Sequence, residues 1–132
     1  MKVHFNHVYI NVGNLAFYEE LAEYLELKPI FSYPDGSGFG VTDGHAALWF
    51  MKTEDKYKER GFHRKAIGLN HIAFTVDDRE QVDEFYEEYV KAKGLTVLYG
   101  GPKEYPEYTP SYYAVYFEDP DRMKVEVLFN KG

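Results

Sequence analysis

The chain contains no cysteine. That absence excludes a disulfide framework, a thiolate nucleophile and any zinc site ligated through sulfur. Long apolar runs are missing as well. No stretch approaches the roughly 20 residues of a membrane span, and the opening MKVHFNHVYINV is too short and too polar for a secretion signal. Positive charge is scarce: 15 Lys and Arg against 22 Asp and Glu give a formal net charge of −7, the reverse of the basic face that a nucleic-acid binder carries. There is no tract rich in Pro, Ser or Gly, and 45% of the residues are hydrophobic, so the chain reads as globular rather than disordered. The 132 residues fit one domain with a real core. These limits lead to the expectation of a cytoplasmic protein that meets small molecules, with no nucleic-acid or membrane partner.

What is present in abundance is repetition, which is sought first in any sequence. Asn6-His7 recurs as Asn70-His71, 64 residues later, and FYEE at 17–20 recurs as FYEE at 85–88, 68 residues later. The second offset holds without a gap from Leu27/Leu95 to Pro34/Pro102. The additional residues of the second copy therefore fall between its first strand and its helix.

Each copy predicts one strand, one helix and three further strands. In the second copy a strand covers 69–76, and a helix follows with Asp78 as N-cap and Gln81 at the capping-box position. Val82, Phe85, Tyr86, Tyr89 and Val90 recur at i, i+3, i+4, i+7 and i+8, one apolar helical face. Gly94 is placed to end that helix in a left-handed conformation. Strands at 95–99, 111–117 and 123–129 complete the copy, with EDPDR as the turn between the last two. The first copy predicts a strand at 3–12, a helix at 15–26 burying Phe17, Tyr18, Leu21 and Leu25, and strands near 29–33, 38–42 and 45–51. Module 1 then spans about 1–52, a charged linker about 53–67, and module 2 about 68–132.

Strand alternation assigns faces. Val8, Ile10 and Val12 should pack on the first helix, leaving His7, Tyr9 and Asn11 on the other face; His71, Ala73 and Thr75 likewise oppose Ile72, Phe74 and Val76. In the last strand Glu126 shares its face with Lys124 and Leu128, away from the helix. If the two sheets curve towards each other, His7, His71 and Glu126 converge on one cleft. Two neutral imidazoles and a carboxylate suit a divalent cation that keeps open positions. His4, His45 and His63 read as surface residues.

Tyrosine accounts for 13 residues and crowds into KEYPEYTPSYYAVY at 103–116. The prolines bias Tyr105 and Thr109 towards extended conformations, which predicts an open loop leading into a strand. Tyr105, Tyr108 and one of Tyr112 and Tyr113, with Tyr113 taken, are the ligand-binding candidates there, suited to a small organic molecule, with Tyr9 and Trp49 as further walls. Tyr116, on the strand expected to pair with that of Glu126, is the candidate catalytic proton carrier.

Two βαβββ modules opening on N-H-[VI], with an FEDPD turn and a closing KVEVLF, resemble the vicinal oxygen chelate superfamily, which holds glyoxalase I, the bleomycin-resistance proteins, the fosfomycin-resistance enzymes and the extradiol dioxygenases. The resemblance covers nearly the whole chain. It implies a glyoxalase-like α+β fold, a curved mixed sheet around a central cleft, metal ligands from the first and last strands of each module, and a homodimer. By this resemblance His7, His71 and Glu126 are the ligands of a divalent ion (Mn, Fe, Ni or Zn). The matching fourth position falls at Ala47 or Leu48, neither of which binds metal, which argues against glyoxalase I itself. The implied function is metal-dependent lyase, isomerase or ring- or epoxide-opening chemistry on a small oxygen-rich molecule. The alternative is metal-free drug binding of the bleomycin-resistance kind.

Overall fold

The computed structural model describes residues 1–132. The chain divides into two compact units, Met1–Gly61 and Phe62–Gly132, and each is an α+β βαβββ module built on a mixed four-stranded sheet. No helix is long and apolar enough to cross a membrane.

In the first unit, β1 (His7–Val12) leads into α1 (Leu15–Tyr24), followed by β2 (Lys28–Ser32), β3 (Gly38–Thr42) and β4 (Ala47–Lys52). The sheet order is β1-β4-β3-β2, with β1 parallel to β4 and the other pairs antiparallel. The helix starts where Asn14 caps it, its side-chain oxygen accepting from the Phe17 amide at 3.0 Å. Phe17, Tyr18 and Leu21 pack inward as expected, with Ala22. They meet Ile10, Val12, Phe39, Val41 and Phe50 on the covered face of the sheet, where Tyr18 stacks on Phe50 at 4.5 Å between ring centres. Leu21 is 2% exposed, so truncating it to Ala costs about 2–5 kcal/mol. Beyond β4 a short 3₁₀ helix, Asp55–Arg60, occupies the charged linker.

The second unit repeats the plan with β5 (His71–Thr75), α2 (Arg79–Phe85), β6 (Val97–Glu104), β7 (Tyr113–Glu118) and β8 (Lys124–Phe129), in the order β5-β8-β7-β6. Asp78 caps α2 by accepting from the Gln81 amide at 2.9 Å. The Gln81 side chain reaches back to the Asp77 amide at 2.8 Å, one residue before the usual capping-box partner. After Phe85 the helix widens into a π-helical stretch, Tyr86–Lys91, where a continuous α-helix was expected. Val82, Phe85, Tyr89 and Val90 remain buried throughout.

Both helices end in the same way, and there the repeat shows a conflict. Leu95 N–H reaches Val90 O at 3.1 Å and Gly94 N–H reaches Lys91 O at 3.0 Å, a Schellman turn with Gly94 at φ 64°. In the first unit Leu27 bonds Ala22 and Glu26 bonds Glu23, both at 3.0 Å, with Glu26 at φ 57°. A glutamate thus holds the left-handed position that glycine takes in the second copy.

Two strand boundaries differ from expectation. β1 begins only at His7, and β6 continues through Lys103 and Glu104, which pair with Ala114 and Tyr113. The open loop expected over 103–116 is therefore a hairpin, closed by Tyr105 N–H to Tyr112 O at 2.9 Å. What disguises β6 is a large bulge: five steps from Leu98 to Lys103 face two from Tyr116 to Ala114. Tyr99, Gly100 and Gly101 all take positive φ within it.

Candidate functional site

The parallel pairing of β5 with β8 sets Ala73 beside Glu126 and His71 beside Lys124. His71 and Glu126 thus share the face away from α2. The Glu126 carboxylate is 1% exposed, and its Oε1 lies 3.1 Å from His71 Nε2. Its Oε2 accepts a 2.6 Å hydrogen bond from the Tyr112 hydroxyl.

The other ring nitrogen of His71 is already engaged. Nδ1 lies 2.7 Å from Asn70 Oδ1, and Asn70 is oriented by its own amide, which donates to Arg64 O at 3.2 Å. Acceptor oxygens thus face both ring nitrogens. A doubly protonated ring donates to both; a neutral ring with its proton on Nδ1 turns the Nε2 lone pair towards the carboxylate, the form in which an imidazole held by an outer oxygen ligates a metal. His7 repeats it in the first unit, with Nδ1 2.6 Å from Asn6 Oδ1 and the side chain otherwise exposed. His71 and Glu126 offer two donors of the kind a divalent cation takes, and the Asn-His pair recurs at the start of each unit. His71 and Glu126 are brought together; His7 lies in the first unit, and no cluster of three or more His, Asp or Glu side chains is assembled.

Around Glu126 the open face of the second sheet carries its own small core of Tyr105, Ala114, Tyr116 and Leu128, with Leu98 and Tyr112 packed against it. Tyr116 pairs with Glu126 across β7 and β8, and its ring meets His71 edge-on at 6.0 Å. Burial, then hydrogen bonding to Glu126 and its negative charge, push the Tyr116 phenol far above its usual range. Tyr112 is raised by burial and by the same carboxylate. Both keep their protons at neutral pH and act as donors. Tyr105 is 9% exposed and pushed up to about 12, first by burial and then by the charge of Glu126. Its hydroxyl is buried without a hydrogen-bond partner, a state that normally costs about 1–3 kcal/mol. Tyr108 stacks on Tyr105 at 5.8 Å and is 60% exposed.

Tyr113 does not join this group. Its hydroxyl donates to Asp83 at 2.5 Å and its ring carries the Arg79 guanidinium at 4.2 Å, so it faces α2. Tyr112 takes the place expected for it, because the register of β7 puts even-numbered residues on the Glu126 side. Two contributions were not anticipated: the Asn70 side chain, which recurs with its histidine but was assigned no role, and Tyr99, which reaches the edge of Tyr116 at 5.3 Å through the bulge. Lys124 adds positive charge, its Nζ lying 5.4 Å from the Tyr116 ring centre and 3.4 Å from the Tyr99 hydroxyl.

In the first unit the register corrects one alignment. His7 pairs with Ala47 and Tyr9 with Trp49, just as His71 pairs with Lys124 and Ala73 with Glu126. The counterpart of Glu126 is therefore Trp49, not Ala47 or Leu48; it too cannot ligate a metal. Opposite Trp49 on β3 stands Gly40, where Tyr116 stands opposite Glu126. The large ring has moved one strand across. Trp49 runs nearly parallel to Tyr9 (5.7 Å, 17°), and Tyr9 donates a 2.8 Å hydrogen bond to the Tyr33 hydroxyl. These rings line a recess of about 480 Å³ that also contains His7 and His45.

A βαβββ module repeated in tandem, with a histidine opening each unit and a carboxylate on the last strand, defines the glyoxalase-like class of small-molecule proteins. The family model of the glyoxalase/bleomycin resistance protein/dioxygenase superfamily matches residues 4–127, and the chain belongs to that superfamily. It is 38% identical over 92 residues to the protein YqjT of Bacillus subtilis, covering 70% of each chain. A crystal structure from Bacillus halodurans aligns with TM-score 0.78 and 36% identity over 96% of this chain and 95% of that one. The fosfomycin resistance protein FosX of Listeria monocytogenes shares the fold at TM-score 0.69 and 20% identity, covering 99% and 96% of the two chains.

Proposed function

We propose that this protein is a divalent-metal-dependent enzyme acting on a small oxygen-rich molecule, with His71, Glu126 and His7 as the protein ligands. The observation that carries the reading is the His71 Nε2–Glu126 Oε1 approach of 3.1 Å, with Nδ1 already committed to Asn70. Membership of a superfamily that includes metal enzymes supports it. Mn²⁺, Fe²⁺, Ni²⁺ or Zn²⁺ held by such donors supplies Lewis acidity, which polarises a substrate oxygen.

The chain's own residues supply the rest. Tyr116, opposite Glu126 across β7 and β8, donates a hydrogen bond to an oxygen that gains negative charge. Lys124 adds positive charge beside Tyr116, and the packed rings around Glu126 exclude water. This chemistry suits lyase, isomerase or ring-opening reactions. Glyoxalase I activity is disfavoured, because Trp49 stands where the first unit's carboxylate counterpart belongs.

Turnover of a panel of epoxides and 2-oxo compounds by the metal-loaded protein tests the proposal. Chelation should abolish activity, metal should restore it, and Tyr116→Phe should lower kcat roughly 10²-fold or more at unchanged metal content. The second reading, sequestration of a cationic drug, rests on the net charge of −7 and the tyrosine clusters. Tight binding of such compounds with no metal dependence and no turnover favours it and sinks the enzyme.

A further inference from the structure

From the first unit we infer the substrate class: an uncharged planar aromatic molecule, held by its ring in the Trp49 recess with its polar substituent towards His7. The inference rests on the reading of His7 as a ligand-facing residue of the proposed site.

The recess is a made shape rather than a gap. A Cβ on Gly40 would lie 2.8 Å from three consecutive atoms of the indole's six-membered ring, Cε3, Cδ2 and Cε2. Equal distances to three neighbouring ring atoms put that Cβ over the middle of the ring, so the indole presents its face to the bare strand. Only glycine allows this. With Trp49 fixed, Tyr33 stands at 61° to it and Tyr9 runs nearly parallel to it. A corner of inclined rings gives a flat aromatic guest both edge and offset-face contacts, which a saturated ring cannot match.

Charge decides the rest. The lining consists of Asn6, His7, Tyr9, Ile30, Tyr33, Thr42, His45, Ala46, Ala47 and Trp49, without one Asp, Glu, Lys or Arg. In a chain with 28% charged residues this wall offers an anion or a cation no fixed counter-charge. His7 Nε2 and His45 supply hydrogen bonds to a neutral polar group, Thr42 and the Asn6 side-chain oxygen being engaged within the protein. About 480 Å³ is room for a ring system of drug-fragment size. Tyr9 and Ile30 are 43% and 47% exposed, so the surface stands open to such a guest.

Trp49 is the sole tryptophan, and its emission reports binding directly. Benzamide, cyclohexanecarboxamide, benzoate and benzamidinium are titrated into the apo protein in chelator, with calorimetry as a second readout. Benzamide should bind saturably and at least roughly tenfold more tightly than the other three. Gly40→Ala, which displaces the indole, should weaken benzamide by a similar factor with the far-ultraviolet dichroism unchanged. If that variant fails to fold, Tyr33→Leu, which removes one wall, should do the same. Equal affinity for the saturated amide, preference for either ion, absence of saturable benzamide binding, or indifference to both variants overturns the inference. Because no metal is present, benzamide binding by a protein that takes up no divalent ion would defeat the enzyme reading alone. Metal uptake without benzamide selectivity would defeat the aromatic assignment alone.

Discussion

His71 turns its Nδ1 to Asn70 at 2.7 Å and its Nε2 to Glu126 at 3.1 Å. In the neutral ring the first contact holds the proton on Nδ1, and the second sets the Nε2 lone pair beside a carboxylate oxygen, where a cation is held between them. Asn70 is therefore a positioning residue for His71. Asn70→Ala should lower divalent-metal affinity by about 10- to 100-fold while the unfolding midpoint stays nearly constant. Asn70→Asp, which keeps the acceptor, should recover most of the loss. Equal affinity in wild type and Asn70→Ala would show that the imidazole needs no such orientation.

The glutamate at the end of α1 offers a test of the fold independent of the site. Glu26 holds φ 57° where Gly94 holds 64°, and a side chain in that region costs about 1–2 kcal/mol. Glu26→Gly should raise stability by about 1 kcal/mol in urea unfolding, and Gly94→Ala should lower it by a similar amount. A destabilised Glu26→Gly protein would mean that the Glu26 side chain contributes more than its backbone strain costs.

Five phenols are held above their ordinary range, Tyr9, Tyr105, Tyr112, Tyr113 and Tyr116, and two of them make clear tests. Tyr105 is pushed up to about 12 by burial, and Tyr113 to about 12 by burial and its hydrogen bond to Asp83. Both folded values lie above the ordinary value near 10, so their stabilising contribution is complete below pH 10 and is lost as pH rises through 12. Absorbance at 295 nm should show a phase near pH 12 that loses one phenol in Tyr105→Phe and one in Tyr113→Phe. An unchanged late phase in both variants would contradict the placement of these rings.

The two-residue period of strands made the candidate carboxylate legible: alternation alone places Glu126 opposite Val125 and Val127, and β8 obeys it. The helix cap at Asp78 and the Gly94 turn follow from local chemistry and were equally readable. Register was not. Nothing within HAALWFMK says which residue a parallel neighbour will face, so Trp49 emerges as the counterpart of Glu126 only from the pairing with Tyr9. Tyr112 was legible without register: alternation followed back along β7 from Tyr116 puts Tyr112 rather than Tyr113 on the Glu126 side. The bulge at Tyr99–Gly101 was hidden because Tyr99, a bulky residue, takes a positive φ. Tyr105, expected on an open loop, is buried because that bulge lets β6 run on into the hairpin.

The central claim is that His71 and Glu126 are held apart by a cation in the working protein. Calorimetric titration of the untagged, chelator-stripped chain with Mn²⁺, Ni²⁺, Zn²⁺ and anaerobic Fe²⁺ tests it most directly. The account predicts one saturable site per chain for at least one of these ions, weakened by at least roughly tenfold in Glu126→Gln and in His71→Ala. No saturable site for any ion, or a site that both substitutions leave untouched, would contradict it.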